Sequence, residues 1–271
     1  MNKKVKVFSE IVVAAMKELK KKNIDLVYGF PNNLGHNAYK KGGFELKIIP
    51  LYISLAIINF LDFYKNKKKI PNPIKLLFIK IISFLWKKLL NIFLKVVIRS
   101  NFSDFRDLKK DDGKLISQLF NTYAKNYNEE YALALRNWKY YQWRFKDNPY
   151  EQYRIYGYFK KNKLLGIMVF NIKKQFSGSS MEIKDLVFED KYDLKKMLMF
   201  SLKWATKNNI SNIILWEDEF LYKKIPRYIF WFSAFLRSGI RTDKTLIFKV
   251  FNRKLKKLKV KIELKKGLER K

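Results

Sequence analysis

The stretch that decides the fold is "YGFPNNLGHNAYKKGGF", residues 28–44. It closes an apolar segment, "DLVYGF", whose length and composition predict a buried strand. A proline-asparagine turn follows, and "HNAYKK" then predicts a short helix that ends at Gly42. Upstream, "FSEIVVAAMKEL" has apolar residues at helical spacing, and downstream "FELKIIPLYISLAIINF" predicts another strand. The first sixty residues therefore predict the order helix, strand, short helix, strand.

The composition indicates a folded chain with a basic surface. Of its 271 residues 48% are hydrophobic, and the net charge is +34. The excess is nearly all lysine in a chain also rich in Ile, Asn, Phe and Tyr, which suggests an AT-rich genome. Because arginine clusters and glycine-aromatic motifs are missing, we expect attraction to anionic membranes or polymers rather than specific nucleic-acid binding.

Cysteine and histidine usage limits the chemistry. The chain has no cysteine and a single histidine, His36, so disulfides, thiol catalysis and histidine-based metal sites are not expected. At the start of the chain, Ser9 and Glu10 interrupt the apolar run that a signal peptide needs, which favours an amphipathic helix. The sequence predicts a cytoplasmic protein without a bound metal.

From residue 101 onward the pattern alternates between strands and helices. Strands are predicted at "SDFRDL", "YRIYGYFKK", "KLLGIMVFNIKK", "MEIKDLVFE", "NIILWED" and "TLIFKVF". Helices are predicted at "DDGKLISQLFNTYA", "RNWKYYQWRF", "DLKKMLMFSLKWATKNN" and "YKKIPRYIFWFSAFLRSGI". This order indicates an α/β domain with a mixed sheet.

A long amphipathic helix is predicted at residues 74–99, after a polar break at residues 61–73 that contains two prolines. Lysines lie inside its apolar sequence, and each would cost about 2.5–3.5 kcal/mol near the centre of a bilayer, so a membrane span is disfavoured. Two interpretations remain open. The helix lies in the interface of an anionic membrane, or it packs against a neighbouring domain.

The combination of "VYGFPN", "YKKGGF" and, after the apolar linker, "YYQWRFKDNPYEQYRIYG" resembles the GNAT (Gcn5-related N-acetyltransferase) superfamily. More narrowly, it resembles tandem GNAT proteins of the bacterial surface-polysaccharide type, here truncated at the N-terminus. The resemblance implies one near-complete GNAT-like domain at residues 101–252, preceded by the C-terminal half of another at residues 1–60. The linker is then 61–100 and the basic tail 253–271.

The resemblance also implies a function. It is transfer of an acetyl or other acyl group from acyl-CoA to an amine or hydroxyl of a sugar or peptide. The alternative is a catalytically inactive remnant or binding module of the same fold, either free or at a membrane surface. The strand "DLVYGF" lacks the neighbour that a complete half would supply, so we expect a partner chain or self-association.

Site residues follow from the resemblance, position by position. Asn32 matches the asparagine near the pantetheine arm, and Tyr39 matches the tyrosine that can protonate the departing thiolate. Lys4 and Lys6 occupy the turn where the glycines of the pyrophosphate loop are expected. In the second domain the corresponding turn, "FEDKYDLKK", also lacks glycine, which puts CoA binding there in doubt.

Two carboxylates and a group of aromatic residues complete the candidates. Glu182 and Asp185 lie on a predicted strand and are expected to face a substrate groove as general bases. Trp138, Tyr141 and Phe145 share one helix face, and their spacing favours core packing over a substrate platform.

Overall fold

The computed structural model describes residues 3–24, 26–29, 36–65, 73–97, 102–126, 135–175, 178–217 and 235–250. Its contacts divide the chain into two compact units. The first unit is made of residues 1–51 and 241–271, and the second of residues 52–240. The domain limits expected from the sequence, 1–60, 61–100, 101–252 and 253–271, rest on the family resemblance. They stay a prediction.

The first unit begins with the predicted order of elements. Helix α1 spans Lys3–Lys21, strand β1 Leu26–Gly29, helix α2 His36–Lys41, and strand β2 starts at Glu45 and runs to Ile57. The small core contains Val12 and Met16 of α1 together with Phe44. Gly42 lies so close to α1 that a Cβ atom there would be 2.7 Å from Val12 Cγ1, and Gly43 has a φ of 73°. The glycine pair therefore ends α2, as the quoted stretch predicts, and it also allows α1 to pack closely.

One further strand, β8 (Phe235–Val250), contributes its end to the first unit, where it pairs antiparallel with β1. The sequence prediction was wrong at residues 235–240, which were assigned to the end of a helix and lie in β8. Ser238 and Gly239 disfavour a helix interior, and a glycine costs about 1 kcal/mol there relative to alanine. The preceding part of that predicted helix lies outside the described residues.

The second unit contains a six-stranded mixed sheet. Besides the end of β2, its strands are β3 (Phe105–Asp107), β4 (Tyr153–Lys160), β5 (Lys163–Lys174), β6 (Ser179–Phe188) and β7 (Asn212–Glu217). Their order is β2-β7-β6-β5-β4-β3. All neighbouring pairs are antiparallel except β6 with β7, which is parallel. The predicted mixed α/β fold is confirmed.

The helices of the second unit are α3 (Phe60–Lys65), α4 (Pro73–Val97), α5 (Gly113–Asn126), α6 (Trp138–Tyr141) and α7 (Lys191–Lys207). A π-helical turn, Gln142–Lys146, continues α6. Part of the polar break expected at residues 61–73 is therefore helical. The Asn59 side chain caps α3, because it accepts hydrogen bonds from the backbone N–H groups of Leu61 and Asp62.

The core of this unit contains the aromatic residues that the sequence singled out. Tyr141 and Phe145 are buried, and Trp138 is half-buried against the same cluster. On α7, Phe200 stacks against Phe105 with 4.1 Å between ring centroids. The prediction that these residues pack in the core is confirmed.

Candidate functional site

The parallel strands β6 and β7 are paired along only part of their length. In the described part of the chain they pair from Ser180 opposite Asn212 to Ile183 opposite Leu215, and both strands continue beyond that point. The register of β6 against β5 shifts there, which leaves Lys184 as the extra residue of a β-bulge. A bulge bends its strand and increases the local twist. Among the described residues no β6–β7 pair follows Ile183 and Leu215, and we call the region between the two strands beyond this point the wedge.

The wedge leads toward the N-terminus of α7, which is already capped. Oδ1 of Asp190 accepts hydrogen bonds from the backbone N–H groups of Tyr192 and Asp193, at 2.7 and 2.9 Å. The neighbouring Glu189 pairs with Lys163, at 2.7 Å. Asp193 is itself buried, and this burial, with the nearby charge of Asp190, raises its pKa to about 6. The start of α7 therefore carries three carboxyl groups.

This helix terminus does not fit the diphosphate of CoA. A phosphate at a helix N-terminus needs free N–H groups, and here a carboxylate occupies two of them. No glycine in this turn permits close approach of the backbone to a phosphate either. In the glycine-free turn that the sequence indicated, Asp190 caps the N-terminus of α7.

Asp185 lies on β6 just past the bulge, in a buried ion pair. Arg136 Nε donates to both of its carboxylate oxygens, at 3.1 and 3.0 Å, and the two side chains are 18% and 8% exposed. Burial lowers the pKa of Arg136, but the Asp185 carboxylate outweighs this effect and raises it overall. Sequence reasoning missed Arg136, because nothing local shows that it contacts a strand 49 residues away.

The hydroxyl of Tyr141 lies in the same buried region. It is fully buried and has no hydrogen-bond partner among the described residues. Burial, and then the charge of Asp185, raise the pKa of Tyr141 well above its usual value. At neutral pH the group is therefore a neutral phenol next to an ion pair. The role of Asp185 as a general base stays a prediction, and it requires that Arg136 release the carboxylate.

Glu182 lies on the same strand in a more exposed network. Its carboxylate accepts hydrogen bonds from Lys173, at 3.1 Å, and from Lys184. Burial opposes ionisation, but these two lysines hold the pKa of Glu182 below its ordinary value. Glu151 joins the network through Lys173, at 3.4 Å. Like Asp185, Glu182 is already paired with a basic side chain, and its catalytic role is still a prediction.

The candidates of the first unit are described only in part. Tyr39 is half-buried, with its ring edge-to-face against Phe8 and Phe44 at centroid distances of 5.7 and 5.3 Å. The prediction that Lys4 and Lys6 lie in a turn was wrong, because the backbone of both lies in α1, which begins at Lys3; their side chains are outside the described part, as is all of Asn32. Tyr39 therefore packs as an aromatic residue, and its proposed role as an acid is untested.

Two observations concern metal binding and membrane spanning. Among the described residues there is no cluster of three or more His, Asp or Glu side chains that could hold a metal ion. None of the helices within the described ranges combines the length and apolarity needed to cross a bilayer.

Comparison with known proteins identifies the fold. No protein-family model matches the chain, and no curated protein matches it either. Among solved structures, a GCN5-related N-acetyltransferase from Anabaena variabilis is similar, with a TM-score of 0.55 and 12% identity, over 90% of this chain and 50% of that one. The chain therefore has the GNAT acyltransferase fold.

Two further solved structures show weaker similarity. Saccharomyces cerevisiae N-myristoyltransferase, solved with bound myristoyl-CoA, has a TM-score of 0.48 and 10% identity, over 78% of this chain and 52% of that one. A probable N-acyltransferase from Enterococcus faecalis has a TM-score of 0.48 and 11% identity, over 89% and 48%. The chain thus spans about half the length of these proteins.

Proposed function

We propose that the protein acts in acyl transfer, moving an acyl group from a pantetheine thioester to an amine or hydroxyl of a sugar or peptide. The observation that carries this proposal is the wedge between β6 and β7, where pairing stops at Ile183 and Leu215 while the strands continue. A pantetheine arm is an extended chain with two amide groups. Such a chain can bind by adding its amides to an open strand edge.

In this proposal the donor binds through its pantetheine arm and not through the diphosphate of CoA. The capped and acidic start of α7 offers no site for that group, so recognition by the second unit rests on the pantetheine arm alone. We expect acetyl-pantetheine and acetyl-CoA to bind the second unit with affinities within about threefold of each other, measured by calorimetry. An advantage of CoA above tenfold that survives in the variants Lys4→Ala and Lys6→Ala would contradict this binding mode.

Separately from the wedge, the resemblance assigns roles to four residues of the first unit. In that unit Asn32 would contact a pantetheine arm, Lys4 and Lys6 would attract phosphate, and Tyr39 would return a proton to a leaving thiolate. Tyr39→Phe separates a catalytic from a packing role, because the phenylalanine ring keeps the contacts with Phe8 and Phe44. A loss of kcat of about 10²-fold at unchanged stability supports the acid role. Unchanged kcat in an active protein excludes it.

A second candidate function is a non-catalytic binding module of the same fold. It is favoured by the occupied cap of α7 and by the buried pair of Arg136 with Asp185, in which the carboxylate already has a cationic partner. The deciding experiment combines thermal shift at millimolar acetyl-CoA with an assay of acyl transfer to amino sugars and peptides. A shift with product supports the enzyme, whereas neither signal supports the module.

A further inference from the structure

Helix α4 contacts the rest of the second unit along a narrow stripe. Trp86 Nε1 donates a hydrogen bond to the carbonyl of Ile57, at 3.0 Å, and Ser83 donates to Asn59 Oδ1, at 3.1 Å. Leu90 and Leu94 are the buried residues of this helix among those described. At about 100° per residue these four positions fall on one side of the helix. The stripe attaches α4 to the unit but covers only part of its apolar surface.

The opposite side of α4 is apolar and exposed. We call it the outer face, and it consists of Ile74, Phe78, Ile81, Leu85, Leu89 and Ile92, which fall within about 80° at helical spacing. Their exposed fractions range from 48% for Ile81 to 76% for Ile74. An apolar cavity of about 500 Å³ adjoins the face at its N-terminal end, lined in part by Tyr64 and Phe78. A contiguous exposed apolar surface of this extent marks an interaction site.

The charges around the outer face are all of one sign. Lys80, Lys87, Lys88 and Lys95 are exposed on the side of the helix between the outer face and the attached stripe, with Lys88 and Lys95 nearest the face, and Lys75 lies near its other border. The helix, residues 73–97, contains no aspartate or glutamate. An apolar face bordered by lysines is the pattern of a helix that lies in the plane of a membrane interface.

Two other occupants fit this pattern less well. A second copy of the chain packed on the outer face would bring its own lysine row close to the first, and like charges would repel. A nucleic acid would satisfy the lysines but would leave the apolar residues uncovered. An anionic bilayer satisfies both features, because acyl chains cover the outer face and headgroups neutralise the lysines.

We propose that α4 docks the protein on the surface of an anionic lipid bilayer, with the outer face in the acyl-chain boundary and the flanking lysines at the headgroups. The helix lies in the interface and does not cross the bilayer. This proposal is independent of the acyl-transfer proposal, because it rests on the exposed face of α4 and on no residue of the wedge.

Vesicle flotation of the full chain tests the docking. We expect binding to vesicles of phosphatidylcholine with 30% phosphatidylglycerol and little binding to phosphatidylcholine alone. Changing Lys80, Lys87, Lys88 and Lys95 to Gln should weaken partitioning about 100-fold or more. The matched control changes Lys110, Lys125, Lys160 and Lys207 to Gln, which removes the same charge from exposed positions elsewhere and should cost less than fivefold.

A second measurement reports the orientation of the helix. Because the chain has no cysteine, Leu85→Cys and Lys110→Cys each provide a single site for an environment-sensitive fluorophore. We expect a blue shift on anionic vesicles at position 85 and none at position 110. Equal binding by the α4 lysine variant and the matched control, or no shift at position 85, would overturn the proposal. Dimerisation through the outer face without vesicle binding would also overturn it and would assign a second copy instead.

Discussion

At the scale of single residues, the cap of α7 makes the first prediction. Asp190→Ala removes the oxygen that accepts from Tyr192 and Asp193, so we expect the free energy of unfolding to fall by about 1 kcal/mol. Asp190→Asn is the control, because it keeps a capping oxygen and should cost only a few tenths of a kcal/mol. Urea unfolding measures both. If the alanine variant matches the wild type, the cap does not stabilise α7.

The buried pair of Arg136 with Asp185 makes the second prediction. Asp185→Asn preserves the shape of the side chain but leaves the guanidinium buried without an opposite charge, so we expect a loss of about 3 kcal/mol in unfolding free energy. The double variant Arg136→Met with Asp185→Leu should recover most of that loss. Glu18→Gln, which breaks the exposed pair with Lys21, should change stability by less than about 0.5 kcal/mol.

The ionisation of Asp193 predicts a pH dependence. Its pKa in the folded protein, about 6, lies above the ordinary aspartate value, so the folded state holds the proton more tightly than the unfolded state does. Stability from this group is therefore present at low pH and is lost as pH rises from about 4 to 6. Relative to the wild type, Asp193→Asn should gain about 2 kcal/mol over that interval. Chemical denaturation at pH 4.5, 5.5 and 7 tests the trend, and a constant difference would refute it.

At the scale of elements, we expect the two sides of α4 to differ in their contribution to the free energy of unfolding. Trp86→Phe removes the hydrogen bond to the buried carbonyl of Ile57, so we expect a loss of about 1 kcal/mol or more in unfolding free energy. Leu85→Ala, on the outer face, should change stability by less than about 0.5 kcal/mol, because that side chain is 52% exposed. Thermal unfolding in the absence of lipid compares the two. Equal losses would mean that both sides of the helix pack against protein.

At the scale of the whole molecule, the net charge of +34 predicts how the chain binds nucleic acid. We expect binding to any duplex at low salt, with affinity falling at least about 10³-fold between 50 and 200 mM salt. Filter binding with two unrelated duplexes measures this, and a neutral polymer of similar length is the control. A preference above tenfold for one duplex at 200 mM salt would show specific recognition, which the charge alone does not provide.

Much of the fold follows from local patterns. Helical spacing in "FSEIVVAAMKEL", alternation in "YRIYGYFKK" and the glycine pair at Gly42 and Gly43 act within a few residues, so each predicts its element directly. The same holds for "FEDKYDLKK", where the missing glycines indicated that α7 has no phosphate loop. The wrong assignment at residues 235–240 arose because an apolar run before a glycine suits either a helix or a strand, and long-range pairing decided in favour of β8.

The sequence by itself determined the mixed α/β class, the resemblance to GNAT proteins and the apolar character of α4. Only the tertiary structure decided that β2 lies beside β7, that Arg136 holds Asp185, and that α4 turns its outer face away from the unit. The physical reason is the range of the interactions. Backbone hydrogen bonds between strands are much the same for every residue type, so a strand's sequence does not show which strand it pairs with. An ion pair requires only that two charges lie close together, so the sequence around one charge does not identify the other.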